Sequence, residues 1–235
     1  MMCLVTDRRR LSGGRDAIDR LVDLVTAAAR AGVDVIHIRE RDLDARDLGA
    51  LVCRCVKGVE RTGTRVVVND RVDVALVSGA HGVHLRGDSI PAGAARSLLP
   101  AGAIVGRSVH GVEETSAVSR TGGLDYLIFG TLFETGSKEP DHRLATLDEL
   151  AAACRVAADA GPERPRMDRK AGRGIPVLAI GGITLERATI VRRAGASGVA
   201  GIGLFIPPPG QEIDGYLHAV VSHLRRTFDS VEAVT

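Results

Sequence analysis

The sequence predicts an α/β fold, a (β/α)8 TIM barrel, from three observations. Short aliphatic runs alternate with amphipathic helical patterns eight times along the chain. Its 235 residues are close to the ~250 that such a barrel uses. Hydrophobic residues make up 45% and aromatics only 3%, so the core must be built from Val, Ile, Leu and Ala, as in strands buried on both faces. Alternation is shared with a doubly wound open sheet, the other architecture the pattern allows. One domain over 1–235 accommodates all eight units.

The first strand is expected over 2–6 and its helix over 16–31, with Ile18, Leu21, Val22, Leu24 and Val25 on one face and Gly32 as the left-handed cap. A strand over 33–38 leads to a helix over 44–61, ended by Gly63. The third unit is 66–68 with a short helix over 72–77, closed by Gly79. Strands at 83–85, 103–105 and 124–129 precede helices at 92–99, 112–120 and 147–160. Strand seven is Pro176-Val177-Leu178-Ala179-Ile180, which breaks on Gly181-Gly182 before Thr184 opens a helix to 194. A strand over 198–204 and a helix over 213–228 finish the count. The stretch 161–174, rich in Arg, Pro and Gly, breaks the composition and reads as a solvated, flexible insertion.

A net charge of +2 argues against nucleic acid or an anionic membrane as partner. No apolar run approaches the ~20 residues of a membrane span. The chain enters a strand at once, without a charged-then-apolar leader, which predicts a cytoplasmic protein. Cys53 and Cys55 sit two apart in a helical pattern and face different sides, a poor metal pair. With Cys3 and Cys154 they read as buried reduced thiols.

Barrel chemistry collects at the C-terminal ends of the strands, and polar residues gather there. Strand two ends His37-Ile38-Arg39-Glu40-Arg41, where alternation gives His37, Arg39 and Arg41 one orientation. Strand three ends Asn69-Asp70-Arg71, and strand four carries His84 before Arg86-Gly87-Asp88-Ser89. Strand five ends Arg107-Ser108-Val109-His110, and strand six leads to Glu134-Thr135-Gly136-Ser137-Lys138. Singly, each has a structural explanation. Asn69-Asp70 would cap the third helix, Ser108 and His110 the fifth; His84 would be a hydrogen-bonded core histidine, and Arg39 and Arg41 solvated cations. Their clustering at one face is what those explanations do not predict.

Strands seven and eight end on Gly181-Gly182 and Gly201-Ile202-Gly203, the place where this fold binds phosphate through backbone amides. Glycine allows close approach of such a ligand. A phosphorylated small molecule is therefore the expected partner, with Arg39, Arg41 and Lys138 available for further anionic groups. Assembly into a homo-oligomer is left open.

Six motifs in order resemble the thiamine phosphate synthase/TenI family from Leu4 to about Phe205. They are His37-Ile38-Arg39-Glu40-Arg41, Val68-Asn69-Asp70-Arg71, Gly82-Val83-His84-Leu85, Ser108-Val109-His110, Glu134-Thr135-Gly136-Ser137-Lys138 and Ala179-Ile180-Gly181-Gly182. The resemblance implies condensation of hydroxymethylpyrimidine diphosphate with a thiazole phosphate, with release of pyrophosphate and with Mg2+. Carried across, Arg39, Asn69 and Lys138 match diphosphate positions and Asp70 a metal ligand. Ser108 matches a substrate-contacting serine, Thr135 and Ser137 the thiazole-phosphate loop, and Gly182 its phosphate glycine. Four positions depart. Arg41 replaces a lysine, Ser89 replaces the second metal aspartate with Asp88 one residue early, Gly203 replaces a serine, and Thr131 replaces the histidine of the TenI tautomerases. Several motifs look closer to the TenI branch, so a thiazole tautomerase using His110 or His84 as base, or a weakly catalytic thiazole-phosphate-binding regulator, are the alternatives.

Overall fold

The computed structural model describes residues 1–11, 16–136, 143–160 and 174–229. Among these, eight parallel strands close into a barrel in sequence order, β1 pairing with both β2 and β8. The units are β1 (Met2–Val5) and α1 (Ala17–Ala31), β2 (Val35–Ile38) and α2 (Ala45–Val59), β3 (Arg65–Asn69) and α3 (Val72–Ser78), β4 (Gly82–Leu85) and α4 (Ala92–Leu98). They continue with β5 (Ile104–Val109) and α5 (Val112–Thr121), β6 (Tyr126–Phe129) and α6 (Leu147–Asp159), β7 (Val177–Ala179) and α7 (Leu185–Arg193), β8 (Gly198–Gly201) and α8 (Ile213–Asp229). Closure excludes the open sheet, because no strand is left with an unpaired edge.

Helix ends follow local chemistry. Asp16 and Asp44 accept backbone N–H bonds at the starts of α1 and α2, and Thr146 forms a capping box with Glu149 on α6. Gly32 and Gly79 end α1 and α3 in the left-handed conformation expected of them. Other expectations need correction. Asn69 and Asp70 do not cap α3, whose N-cap is Arg71 without a side-chain bond. Ser108 lies inside β5, and α5 starts from Gly111, so neither Ser108 nor His110 caps it. Helix α2 stops at Val59. Strand β8 stops at Gly201 and gives way to a 3-10 turn, Gly203–Phe205. Cys3 and Cys55 are buried, Cys154 is half-buried, and Cys53 is exposed on α2. The candidate residues Ser137 and Lys138 lie outside the described residues, as does 161–173 of the expected insertion.

Strand alternation divides the core in two. Leu4, Ile36, Ile38, Val66 and Val68 pack outward against the helices. Cys3, Val5, Val35, Val67, Ile104, Tyr126, Ile128, Leu178 and Ala200 fill the barrel interior. The Tyr126 ring lies across β5, where a Cβ on Gly106 would come within 2.1 Å of its Cζ. No helix among the described residues is long and apolar enough to cross a membrane.

Candidate active site

Inward positions turn polar toward the C-terminal mouth. In register, His37 on β2 pairs with Val67, and Asn69 on β3 pairs with His84 on β4. His37 Nε2 meets Asn69 Oδ1 at 3.2 Å, and the His37 and His84 ring centroids are 4.4 Å apart. His84 Nδ1 is 3.0 Å from the Tyr126 hydroxyl, and its Nε2 is 2.9 Å from Ser108 Oγ. Both rings are buried, so the core-histidine reading holds for His84. Burial, reinforced by the charges of Arg39 and Arg41, pushes His37 down to about 3. Burial, then His37 and Arg107, holds His84 well below its usual value. Both imidazoles are therefore neutral near pH 7.

Neutrality allows the protons to be assigned. Asn69 Oδ1 only accepts, so His37 carries its proton on Nε2, which leaves the Asn69 amide N–H groups for the cavity. Tyr126 is fully buried and its hydroxyl is bonded to His84, so it donates to Nδ1. His84 then donates from Nε2 to Ser108, whose own proton is free to point at a ligand. His110 Nδ1 lies 2.7 Å from the carbonyl of Gly130 and must donate to it, so Nε2 is the nitrogen left to face the cavity.

His37, Asn69, His84, Ser108 and His110 line a cavity of about 480 Å³ together with Arg39, Arg41, Arg86 and Asp88. Arg39 is anchored by its backbone N–H, which donates to Thr6 Oγ1 at 2.9 Å. Arg86 grips Asp88 with two bonds, 2.9 and 2.7 Å, and its Nε lies 3.5 Å from Asp70 Oδ2. Asp70 reaches that position through a left-handed backbone, φ 60, with its N–H on the His84 carbonyl at 2.9 Å. Arg107, buried under the β4–α4 loop, donates to the carbonyls of Ile90 and Gly87 at 2.9 and 2.6 Å and so fixes the loop that carries Asp88. No group of three or more His, Cys, Asp or Glu converges among the described residues. Asp70 and Asp88 nevertheless supply the hard carboxylate oxygens a magnesium ion takes, usually one or two alongside substrate phosphates and water.

A second cavity, of about 540 Å³, opens over strands seven and eight, lined by Gly181, Gly182, Gly201, Gly203, Thr184 and Arg10 among others. The two cavities share Thr135, Ile180, Gly181 and Ile202 as a common wall. Gly181 and Gly182 have φ values of 103 and 57. A Cβ on Gly181 would lie 2.4 Å from Thr131 Cγ2, and one on Gly182 would lie 2.4 Å from the Glu134 carbonyl. The glycines therefore serve the fold as well as any ligand, because the β6–α6 loop packs directly on them. Arg187 donates to the Gly182 carbonyl at 2.6 Å and stacks 4.6 Å over Phe133, holding that turn from α7.

The sequence-predicted set thus separates into His37, Arg39, Arg41, Asn69, His84, Asp88, Ser108 and His110 on one cavity, with Asp70 at its edge, and Gly182, Gly201 and Gly203 on the other. Arg10 and Arg187 escaped the sequence reading, and Arg86 and Tyr126 were given no role by it. The same strand-end rule, applied to β1, would have found Arg10.

The chain is similar to proteins named thiamine-phosphate synthase. One from Roseiflexus sp. (strain RS-1) is 38% identical, covering 93% of this chain and 84% of that protein. One from Haloarcula marismortui is 37% identical, covering 81% and 82%. The fold of a thiamine phosphate pyrophosphorylase from Pyrococcus furiosus superposes with a TM-score of 0.74 at 25% identity, over 96% of both chains. With the family model described as thiamine monophosphate synthase matching residues 2–205, the chain belongs to the thiamine monophosphate synthase family.

Proposed function

We propose that the two cavities hold the two substrates of the family's condensation, the pyrimidine diphosphate among the arginines and the thiazole phosphate over the glycines. The chain is a transferase of thiamine biosynthesis by its family and its relatives. The observation that carries the assignment is the shared wall of Thr135, Ile180, Gly181 and Ile202. Two substrates seated on either side of it meet at one point, the arrangement a bimolecular bond-forming step needs.

In this reading the C–O bond to the diphosphate breaks with its electron pair leaving on pyrophosphate, and the thiazole nitrogen lone pair closes the new C–N bond. Arg39, Arg41, Asn69 and Lys138 stabilise the charge that develops on the leaving group. Mg2+ held by Asp70, with Asp88, would supply further Lewis-acid charge there. Ser108 donates to the pyrimidine, oriented by His84 and Tyr126. Thr135, Ser137 and the amides of Gly182 and its neighbours hold the thiazole phosphate. No proton is removed in this sequence, which accords with two neutral, buried histidines and with Thr131. A tautomerase would need a base, and His110 Nε2 is the candidate. The named relatives favour the synthase. The reading includes a single-domain cytoplasmic enzyme.

Incubation with both substrates and Mg2+ is expected to produce thiamine phosphate, with a loss of ~100-fold or more in Asp70→Ala. Absence of turnover in the parent would refute the assignment. Proton exchange on the thiazole carboxylate phosphate, abolished by His110→Ala, would favour the tautomerase instead.

A further inference from the structure

Three arginines follow β1 in one 3-10 turn, Arg8–Arg10. Two of them face carboxylates. Arg8 bonds the buried Glu40 at 2.8 Å and also Asp42, and Arg9 reaches Asp42 at 3.1 Å. Arg10 has no carboxylate partner among the described residues. Its guanidinium lies against Gly203 at the end of β8: a Cβ built on Gly203 would stand 3.4 Å from Nη2, 3.7 Å from Nη1 and 3.8 Å from Cζ. The backbone under it is pinned. The Arg10 N–H donates to the Asp7 carbonyl at 3.1 Å, Leu11 N–H to the Arg8 carbonyl at 3.2 Å, and Arg8 N–H to Glu40 at 3.1 Å.

Charge in the glycine-lined cavity shows why this matters. Among the described residues its other charged side chains are Glu134, Glu186 and Arg187, which sum to one formal negative charge. Arg187 is moreover engaged with the Gly182 carbonyl and the Phe133 ring. Neutral amides and hydroxyls would have to hold a phosphate dianion against that field, and among the described lining residues Arg10 is the cation that offsets it. With no side chain, Gly203 leaves the guanidinium open on that side, where a Cβ would already stand in van der Waals contact with it.

Resting on the assignment of this cavity to the thiazole phosphate, we propose that Arg10 is the side-chain cation of the phosphate subsite, seated by the absent side chain of Gly203. It sets the preference for phosphorylated over dephosphorylated thiazole. Arginine suits the role, since its planar fork presents two parallel donors to a phosphate.

The test is calorimetric, with thiazole phosphate and the dephosphorylated thiazole alcohol as ligands. Arg10→Gln is expected to weaken thiazole phosphate by roughly 10- to 100-fold, the worth of a charge-assisted hydrogen bond, and to leave the alcohol unchanged. Arg9→Gln, a change in the same turn, should leave both ligands as in the parent. Gly203→Ser should weaken the phosphate ligand in the parent but add little to Arg10→Gln, since both act through one contact. If Arg10→Gln shifts thiazole phosphate by less than two-fold, or shifts both ligands equally, the inference fails while the cavity assignment stands. If the parent binds no thiazole phosphate, the cavity assignment itself falls and takes the inference with it.

Discussion

Tyr126→Phe removes one oxygen atom from the centre of the barrel and leaves shape and apolar surface nearly intact. The hydroxyl it deletes stands 3.0 Å from His84 Nδ1, a ring buried to 1% exposure. Without it Nδ1 is left in a dry interior with no partner, at a cost of ~1–3 kcal/mol. In a domain of this size each kcal/mol lowers Tm by roughly 2–4 °C, so a drop of about 2–12 °C is expected by calorimetry. The functional effect follows from the proton assignment. In the parent, His84 carries its proton on Nε2 and turns Ser108 outward as a donor. Once Tyr126 no longer selects that tautomer, Ser108 can donate back to His84 instead, and a several-fold fall in kcat/KM should accompany the loss of stability. Nitrogen-15 NMR of the imidazole reads the tautomer directly. An Nδ1–H signal for His84 in the parent, or an unchanged Tm in the variant, would refute the reasoning.

Four further outcomes follow from the same geometry. His37 titrates near pH 6.5 when unfolded but is pushed down to about 3 when folded. Below pH 6.5 the unfolded chain therefore takes up a proton that the folded chain refuses, and stability falls as pH drops toward 3, by up to ~1.4 kcal/mol per pH unit from this residue. Urea midpoints at pH 7 and pH 5 check this, and equal midpoints would contradict it. Gly182→Ala places a Cβ 2.4 Å from the Glu134 carbonyl at a φ of 57. A loss of at least ~1–2 kcal/mol and a raised KM for thiazole phosphate are expected. Gly49→Ala, where a Cβ would meet nothing within 4 Å in the middle of α2, should instead stabilise by ~0.5–1 kcal/mol. Finally, Arg86 pairs with Asp70 and Asp88 and would compete there with a divalent cation. Arg86→Gln should tighten Mn2+ binding by about ten-fold, read by water-proton relaxation, while weakening pyrophosphate; Mn2+ binding equal to the parent's would count against that competition.

The alternation of aliphatic runs and helical patterns, with Gly32 and Gly79 closing their helices, carried the fold class. These signals are local, since period and cap depend on residues a few positions apart. Element ends were less legible where tertiary packing decides them. Ser108 belongs to β5 because Tyr126–Phe129 pairs alongside Gly106–Val109, a partnership invisible in a stretch ending at Val105. Asp70 was misread as a cap because Asn-Asp before a helix has that use. In the fold its N–H is taken by His84 and its carboxylate faces Arg86.

By itself the sequence determined the eightfold strand–helix alternation, the strand ends where polar residues gather, and the glycines at β7 and β8, because strand polarity and backbone freedom are written residue by residue. Only the tertiary structure decided which of those residues meet. Barrel closure brings β1 beside β8 and seats Arg10 on Gly203, residues from opposite ends of the chain. It brings the tilted rings of His37 and His84 to 4.4 Å and sets the Tyr126 hydroxyl and Ser108 on the two nitrogens of His84. Those contacts depend on register and on excluded water across strands, and a linear pattern holds neither.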